Sequence, residues 1–507
     1  MVRSALITCS AVLALVASGC SEDSSEPDQA PTSSAATSGA APTSAAPEVT
    51  RPEGPSAALT PSLKGGSGVF LTSMPESDGD PGYVVEELAA AGTATAYEPQ
   101  EPLAADGTWT FRPGDTARYR TRVVVRRPAE AADASGVVLV EWLNVSAGAD
   151  SDPGFQNVRE EAVRQGHTWV GVSAQKVGVE GGDVAVAPDV PGVESVLGKG
   201  LKGVDPARYG SLRHPGDRFA FDIVTQVARA LREGGPATGG VAPERVVAMG
   251  VSQSAFGLVT YVNGVQPLTQ AFDGFFVISR AGSSLPVVEG DAAVDVAAAI
   301  FGPTTTLRTD TEVPVFVLQT ETDVVGILGS GAARQPDSDL FRLWEVAGTG
   351  HADLHLLGER VAGVLDCGAP VNDGPMHVVA KAALRHVVAW VSDGVAPPAG
   401  QVIDFTADGP TRDEDGLVTG GVRTPPVDVP TRLLSGEPGR DDEPTCVLFG
   451  STRPIPAPRL GELYDDRADF EQRYAAALDE AVAAGSVLEE DREALLDYAH
   501  PELVPGR

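Results

Sequence analysis

Gly250-Val251-Ser252-Gln253-Ser254 is the segment with the clearest chemical potential. It follows the apolar run Val246 to Met249 and precedes the helix-like stretch Ala255 to Val262. A serine on such a strand-to-helix turn projects its hydroxyl beyond the sheet and leaves the next backbone N–H free as an oxyanion donor. The turn is crowded, and Gly250 and Ser254 supply the small side chains it needs two residues either side of Ser252. A serine hydroxyl is a weak nucleophile at neutral pH and needs a histidine base oriented by a carboxylate. Val313 to Gln319 reads as a strand whose following loop, Thr320 to Val325, carries Glu321 and Asp323; Phe341 to Val346 reads as another, followed by Ala347-Gly348-Thr349-Gly350-His351. Nucleophile, acid and base thus stand in order at the C-terminal ends of predicted parallel strands, where such sheets place their reactive loops. The chemistry implied is acyl transfer. Ser252 would attack a carbonyl, His351 would carry its proton to the leaving group, and Asp323 would hold the imidazole. The oxyanion would accept from the N–H of Gln253 and from a second N–H near Asn144 or Val145, in the loop after Val137 to Trp142.

Each residue has a plainer reading. Ser252 could cap an ordinary helix, and Asn144 could serve only to shape its turn. Glu321 stands two residues nearer the strand than Asp323 and could replace it; the carboxylate not chosen would be solvated or would brace the loop. His355 competes with His351, whereas His167, His214, His377, His386 and His500 do not end a strand after the acid. His351, Asp353 and His355 could also be read as metal ligands, but no Glu follows the first histidine and no further ligand is apparent. No metal is expected.

These side chains need a frame. Tyr119 to Arg126, Val137 to Trp142, Thr168 to Ser173, Arg245 to Met249, Gly274 to Ile278, Val313 to Gln319 and Phe341 to Val346 are short, mostly continuous apolar runs, as in parallel strands covered on both faces. Helical spacing appears between them in Asp217 to Glu233, after Ser252, and in Val378 to Val391. The predicted fold class is α/β, a doubly wound, mostly parallel sheet. From about Asp466 the tail reads as a C-terminal extension of two helices around Gly485-Ser486, with Phe470, Tyr474, Ala477, Leu478 and Val482 along one face.

Taken together, Val140-Glu141-Trp142-Leu143-Asn144-Val145, Gly250 to Ala255, Gln319 to Val324, Arg334-Gln335-Pro336-Asp337-Ser338-Asp339 and Ala347 to Asp353 resemble the α/β-hydrolase superfamily, and within it the bacterial "alpha/beta hydrolase domain" proteins. The resemblance runs from roughly Gly68 to Ala499. It implies the α/β-hydrolase type of sheet, a serine hydrolase with Ser252, Asp323 and His351 as its triad and, by analogy, an esterase, without implying a particular substrate; a small-molecule ester is the expected partner. Val177 to Pro215 and Ala281 to Thr311 are the predicted walls of an acyl pocket. With no P-loop, dinucleotide fingerprint or zinc spacing, no cofactor is expected. Two alternatives remain at this stage: a serine peptidase or acyltransferase on the same fold, and a non-catalytic, lipid-anchored envelope binding module.

Charge and export complete the reading. The 507 residues carry 37 Lys+Arg against 70 Asp+Glu, a formal charge of −33, which argues against nucleic acid as a partner. Residues 1–20 look like a signal peptide: Arg3, an apolar stretch from Ala5 to Val16, then Ala17-Ser18-Gly19-Cys20, which resembles the lipobox of bacterial lipoproteins apart from Ala17. Cys20 is the expected site of lipid attachment, with plain secretion or an uncleaved anchor as alternatives. The protein is expected on the outer face of the cell membrane, touching it only through that anchor. Residues 21–55, rich in Ser, Ala, Thr and Pro, cannot bury enough apolar surface to order themselves and read as a tether. Residues 56–507 are then a single domain. Export leaves Cys367 and Cys446 as an even pair, expected to form a disulfide, with two buried thiols as the alternative.

Overall fold

The apolar runs assemble into one nine-stranded sheet in the order β1-β2-β3-β5-β4-β6-β7-β8-β9. The strands are β1 (Ala58–Thr60), β2 (Tyr83–Pro99), β3 (Phe111–Pro128), β4 (Val137–Trp142), β5 (Thr168–Val172), β6 (Arg245–Val251), β7 (Gly274–Ile278), β8 (Val315–Thr320) and β9 (Phe341–Val346). The computed structural model describes residues 51–72, 79–187, 195–406, 409–440 and 442–506. The leader, Cys20 and the tether up to residue 50 lie outside the described residues. Strands β4 to β9 run parallel, and β1 to β3 form an antiparallel edge.

Alternation explains why the runs looked continuously apolar. Val138, Val140 and Trp142 face one core layer while Val137 and Leu139 face the other, so both sets of side chains are covered. Helices Ala220–Arg232 and Gln253–Thr260 cover the first face, and Pro153–Arg164 and Met376–Asp393 cover the second. Strands β4, β7 and β9 coincide with their predicted bounds. Strand β2 was not predicted, because Leu88-Ala89-Ala90-Ala91-Gly92-Thr93-Ala94 has little intrinsic β preference. Tertiary pairing with β3 fixes it, and small side chains are needed there: a Cβ on Gly92 would sit 2.5 Å from Gln226 Oε1.

The tail forms two helices on either side of Gly485-Ser486, Arg467–Ala483 and the short Arg492–Leu496, the second preceded by the single turn Glu489–Asp491. Phe470, Tyr474, Ala477 and Leu478 are buried, and Leu478 and Ala481 pack on Val378 of helix Met376–Asp393, which joins the extension to the sheet's outer layer. The sequence showed no element between that helix and the tail. The structure places a hairpin there, Arg432–Ser435 against Ser451–Pro454. Cys367 and Cys446 are bonded, with a Cα separation of 5.4 Å across 79 residues of sequence. Closing a loop of that length contributes about 4–5 kcal/mol in the chain-entropy picture. No described helix is long and apolar enough to cross a membrane.

Candidate active site

Strand β6 ends at the turn holding Ser252, whose φ of 58° and ψ of −124° lie outside the regions comfortable for an L-residue. Its N–H donates to Ile278 O at 3.0 Å, locking the turn to β7. Crowding is as predicted: a Cβ on Gly250 would lie 3.0 Å from the carbonyl of Ser254. Ser254 does more than stay small. Its hydroxyl accepts from Val251 N–H and donates to Val251 O, both at 2.9 Å, closing the turn in a way glycine could not.

His351 connects the serine to the acid. Its Nε2 is 2.9 Å from Ser252 Oγ and its Nδ1 is 2.5 Å from Asp323 Oδ1. Asp323 is fully buried, and its Oδ2 accepts from Thr320 N–H at 2.7 Å while Thr320 Oγ1 accepts from Asp323 N–H at 3.2 Å. With the carboxylate fixed in this way, Nδ1 carries the proton and Nε2 is left to accept one from Ser252. The turn before His351 is equally constrained. A Cβ on Gly350 would lie 2.8 Å from Phe449 O, so glycine is required where the chain passes the hairpin.

Glu321, the alternative acid, belongs to that turn instead. It is fully buried, accepting from Gly348 N–H at 2.9 Å and from Arg412 Nη2 at 3.0 Å. Burial pushes its carboxyl up, opposed by Arg412 and the N–H groups of Gly348 and Gly436. It braces the loop beneath His351. Asn372, which the sequence reading passed over, does the same from the other side: its Oδ1 accepts from Gly350 and Gly374 N–H at 3.0 and 2.8 Å, and its Nδ2 donates to Gly348 O and Ser435 O, both at 3.0 Å. The turn-like string Asn372-Asp373-Gly374 was the only signal that could have pointed to it.

The oxyanion side differs in part from expectation. Gln253 opens its helix, so its N–H has no intrahelical acceptor and lies beside Ser252. Asn144 is not a donor there. Its N–H bonds Ser151 O at 3.0 Å, its Nδ2 bonds Val251 O at 3.0 Å, and its Oδ1 accepts from Ser146 N–H, so it shapes the loop against the nucleophile turn. Val145 N–H does reach the turn, but its acceptor is the Gln253 side chain, Oε1 at 3.1 Å. That carboxamide is held in turn by Gln175, whose Oε1 accepts from Gln253 Nε2 and, at 2.9 Å, from Trp142 Nε1. Nothing in the sequence singled out Gln175, an unremarked residue in the loop after β5.

Of the two predicted pocket walls, residues 188–194 lie outside the described residues. Asp217, just past the first wall, accepts from the N–H of Lys176, which immediately precedes that wall, at 2.6 Å and from Val294 N–H in the second wall at 2.8 Å. His355 is exposed and stacks on His377 with ring centres 3.9 Å apart, remote from the triad hydrogen bonds. Burial pushes His377 well below the usual histidine range and Asp353 up to about 6. Among the described residues no group of three or more His, Cys, Asp or Glu is placed to hold a metal ion.

A family described as "Alpha/beta hydrolase domain" matches residues 49–497. No curated protein matches the chain. Among solved structures it is similar to an α/β serine hydrolase without lid from Xanthomonas campestris, at 13% identity over 54% of this chain and 91% of that one, TM-score 0.27. It is also similar to a fungal esterase from Rhizomucor miehei, at 13% identity over 60% and 85%, TM-score 0.31. A thermostable esterase from Pseudomonas putida gives 13% identity over 62% and 84%, TM-score 0.29.

Proposed function

Because this chain belongs to the alpha/beta hydrolase domain family, we propose that it is an exported serine hydrolase that cleaves a small-molecule carboxylic ester through an acyl-enzyme on Ser252. The observation that carries this reading is the unbroken hydrogen-bonded line from Ser252 Oγ through His351 to a buried Asp323 whose other oxygen is already pinned. Ser252 attacks the ester carbonyl while His351 Nε2 takes its proton and returns it to the leaving alcohol. Asp323 keeps the imidazole in the required tautomer and stabilises the imidazolium. Water then repeats the sequence on the acyl-enzyme. The developing oxyanion accepts from Gln253 N–H and displaces Gln253 Oε1 from Val145 N–H, each donor being worth on the order of 3 kcal/mol.

A fluorophosphonate probe tests the reading. It should label the native protein on Ser252, and a panel of short-chain nitrophenyl esters should then be hydrolysed. Folded protein that resists the probe would return the molecule to a binding role. Labelling with hydrolysis of peptides but not esters would make it a peptidase.

The leader and the disulfide support export, since such bonds persist in oxidising compartments. Lipid at Cys20 holds the enzyme on the outer face of the membrane, with the tether between anchor and domain. Cys20→Ala should move the protein from the membrane fraction to the soluble one; unchanged partitioning would rule out the anchor.

A further inference from the structure

Val145 N–H is capped in the structure. Its acceptor is the side chain of Gln253, the residue whose own N–H is the other oxyanion donor, with Oε1 at 3.1 Å. A donor serves the transition state fully only when it stands ready, so this one must first be uncovered. Uncovering it strands the Gln253 carbonyl. Gln253 is buried, and a buried amide oxygen taken from its donor is destabilising unless another donor receives it.

Gln175 holds such a donor. It is fully buried, and its Oε1 accepts from Gln253 Nε2 and, at 2.9 Å, from Trp142 Nε1. Its Nε2 is buried with no hydrogen-bond partner among the described residues. Trp142 Nε1 can only donate, which fixes the oxygen end of the Gln175 carboxamide; Val145 N–H does the same for Gln253. The idle NH₂ therefore sits on the same carbon as the oxygen that Gln253 already contacts. The main chain on either side of Gln175 is pinned. Gly216 N–H donates to His214 Nδ1, leaving His214 Nε2 to donate to Ala174 O at 2.8 Å, and Lys176 N–H donates to Asp217 Oδ1 at 2.6 Å. Gln175 is a fixed receiver, and the Gln253 side chain is the part free to turn.

We propose that Gln175 is a positioning residue for the oxyanion hole: when the developing oxyanion takes Val145 N–H, Gln253 Oε1 passes to Gln175 Nε2 and the two carboxamides join through a pair of N–H···O bonds. The proposal rests on the serine-hydrolase reading above. Hydrogen bonds balance in the exchange. Val145 N–H goes from carbonyl to oxyanion, Gln253 Oε1 goes from Val145 to Gln175, and the idle donor gains an acceptor. The bond from Trp142 to Gln175 stays in place throughout. When the oxyanion collapses, the carboxamide returns to Val145 and the second donor is capped again.

Crystals of the protein labelled on Ser252 by a fluorophosphonate test the exchange directly, because the phosphonyl oxygen takes the oxyanion position. The expected contacts are Val145 N–H on that oxygen and the Gln253 carboxamide doubly bonded to Gln175. A labelled protein whose Gln253 side chain stays on Val145, or leaves Gln175, overturns the proposal while the serine hydrolase stands; a folded protein that does not label at Ser252 removes both. Kinetics supply a second test. Gln175→Glu keeps both acceptor contacts but has no donor when ionised, so at alkaline pH kcat should fall about 10²-fold, the scale of one lost oxyanion donor, with KM within about threefold of wild type. The loss must run through the Gln253 side chain. Introduced into Gln253→Ala, which has no carbonyl to receive, the same exchange at Gln175 should change kcat by less than about threefold. A Gln175→Glu enzyme with normal kcat, or one slowed equally with and without the Gln253 side chain, would overturn the proposal.

Discussion

Ser252→Ala is expected to lower kcat on an activated ester by about 10⁵- to 10⁶-fold, the loss seen when a triad serine is removed and only oxyanion and binding contributions remain. Folding should survive. Among the described residues the hydroxyl's one side-chain partner is His351, and the strained backbone is fixed by Ser252 N–H to Ile278 O, which alanine retains. A companion variant separates chemistry from strain. Ser252→Gly is equally inert, but glycine adopts a φ of 58° without a Cβ penalty, so it should melt no lower than Ser252→Ala and can recover part of the about 1–3 kcal/mol held in such a turn. Kinetics and melting on both variants decide the matter. If either keeps more than a few per cent of wild-type activity, Ser252 is not the nucleophile.

What the sequence made legible was whatever rests on local pattern. The strands that carry Ser252, the acid loop and His351 are largely buried on both faces, and such burial writes itself as a mostly apolar run, interrupted in β9 by Arg342 and Glu345. The order of the triad needed only those strands and the glycine-rich turn at His351. The parts that could not be read depend on contacts between distant segments. Strand β2 is an alanine-rich stretch held by its partner, and the hairpin Arg432–Ser435 with Ser451–Pro454 pairs across a disulfide-linked loop. The supports of the site are of the same kind. Asn372 and Gln175 act through side-chain amides on main-chain or side-chain groups far away in sequence, and no periodicity or motif marks a residue for that. Glu321 shows the limit most clearly. Sequence favoured Asp323 but left Glu321, two residues nearer the strand, able to do the same job, and the packing around each carboxylate separates them.

That separation gives the second large expected effect. Asp323→Asn should reduce kcat about 10⁴-fold, the scale of the same exchange in a well-studied serine protease. The structure supplies the reason. Thr320 N–H can donate only to the amide's oxygen, so that oxygen is pinned on Thr320 and the NH₂ is turned toward His351 Nδ1. Nδ1 must then accept, the imidazole proton moves to Nε2, and Nε2 can no longer take the proton of Ser252. Glu321→Gln acts on a different quantity. Its carbonyl can keep the Gly348 N–H, but its NH₂ then faces the Arg412 guanidinium, donor against donor in a buried site. Stability should fall by about 1–3 kcal/mol, because a fully buried carboxylate acceptor loses its charge, while Arg412 keeps Glu437 Oε1 at 2.9 Å as its other partner. Below the lowered Tm, kcat should stay within about tenfold of wild type, since Glu321 braces the turn and does not touch the imidazole. Measuring kcat and Tm for both variants with one ester distinguishes the two roles. A Glu321→Gln enzyme that is folded yet 10⁴-fold slower, beside a nearly normal Asp323→Asn, would transfer the acid's role to Glu321 and leave the Ser252–His351 pair in place.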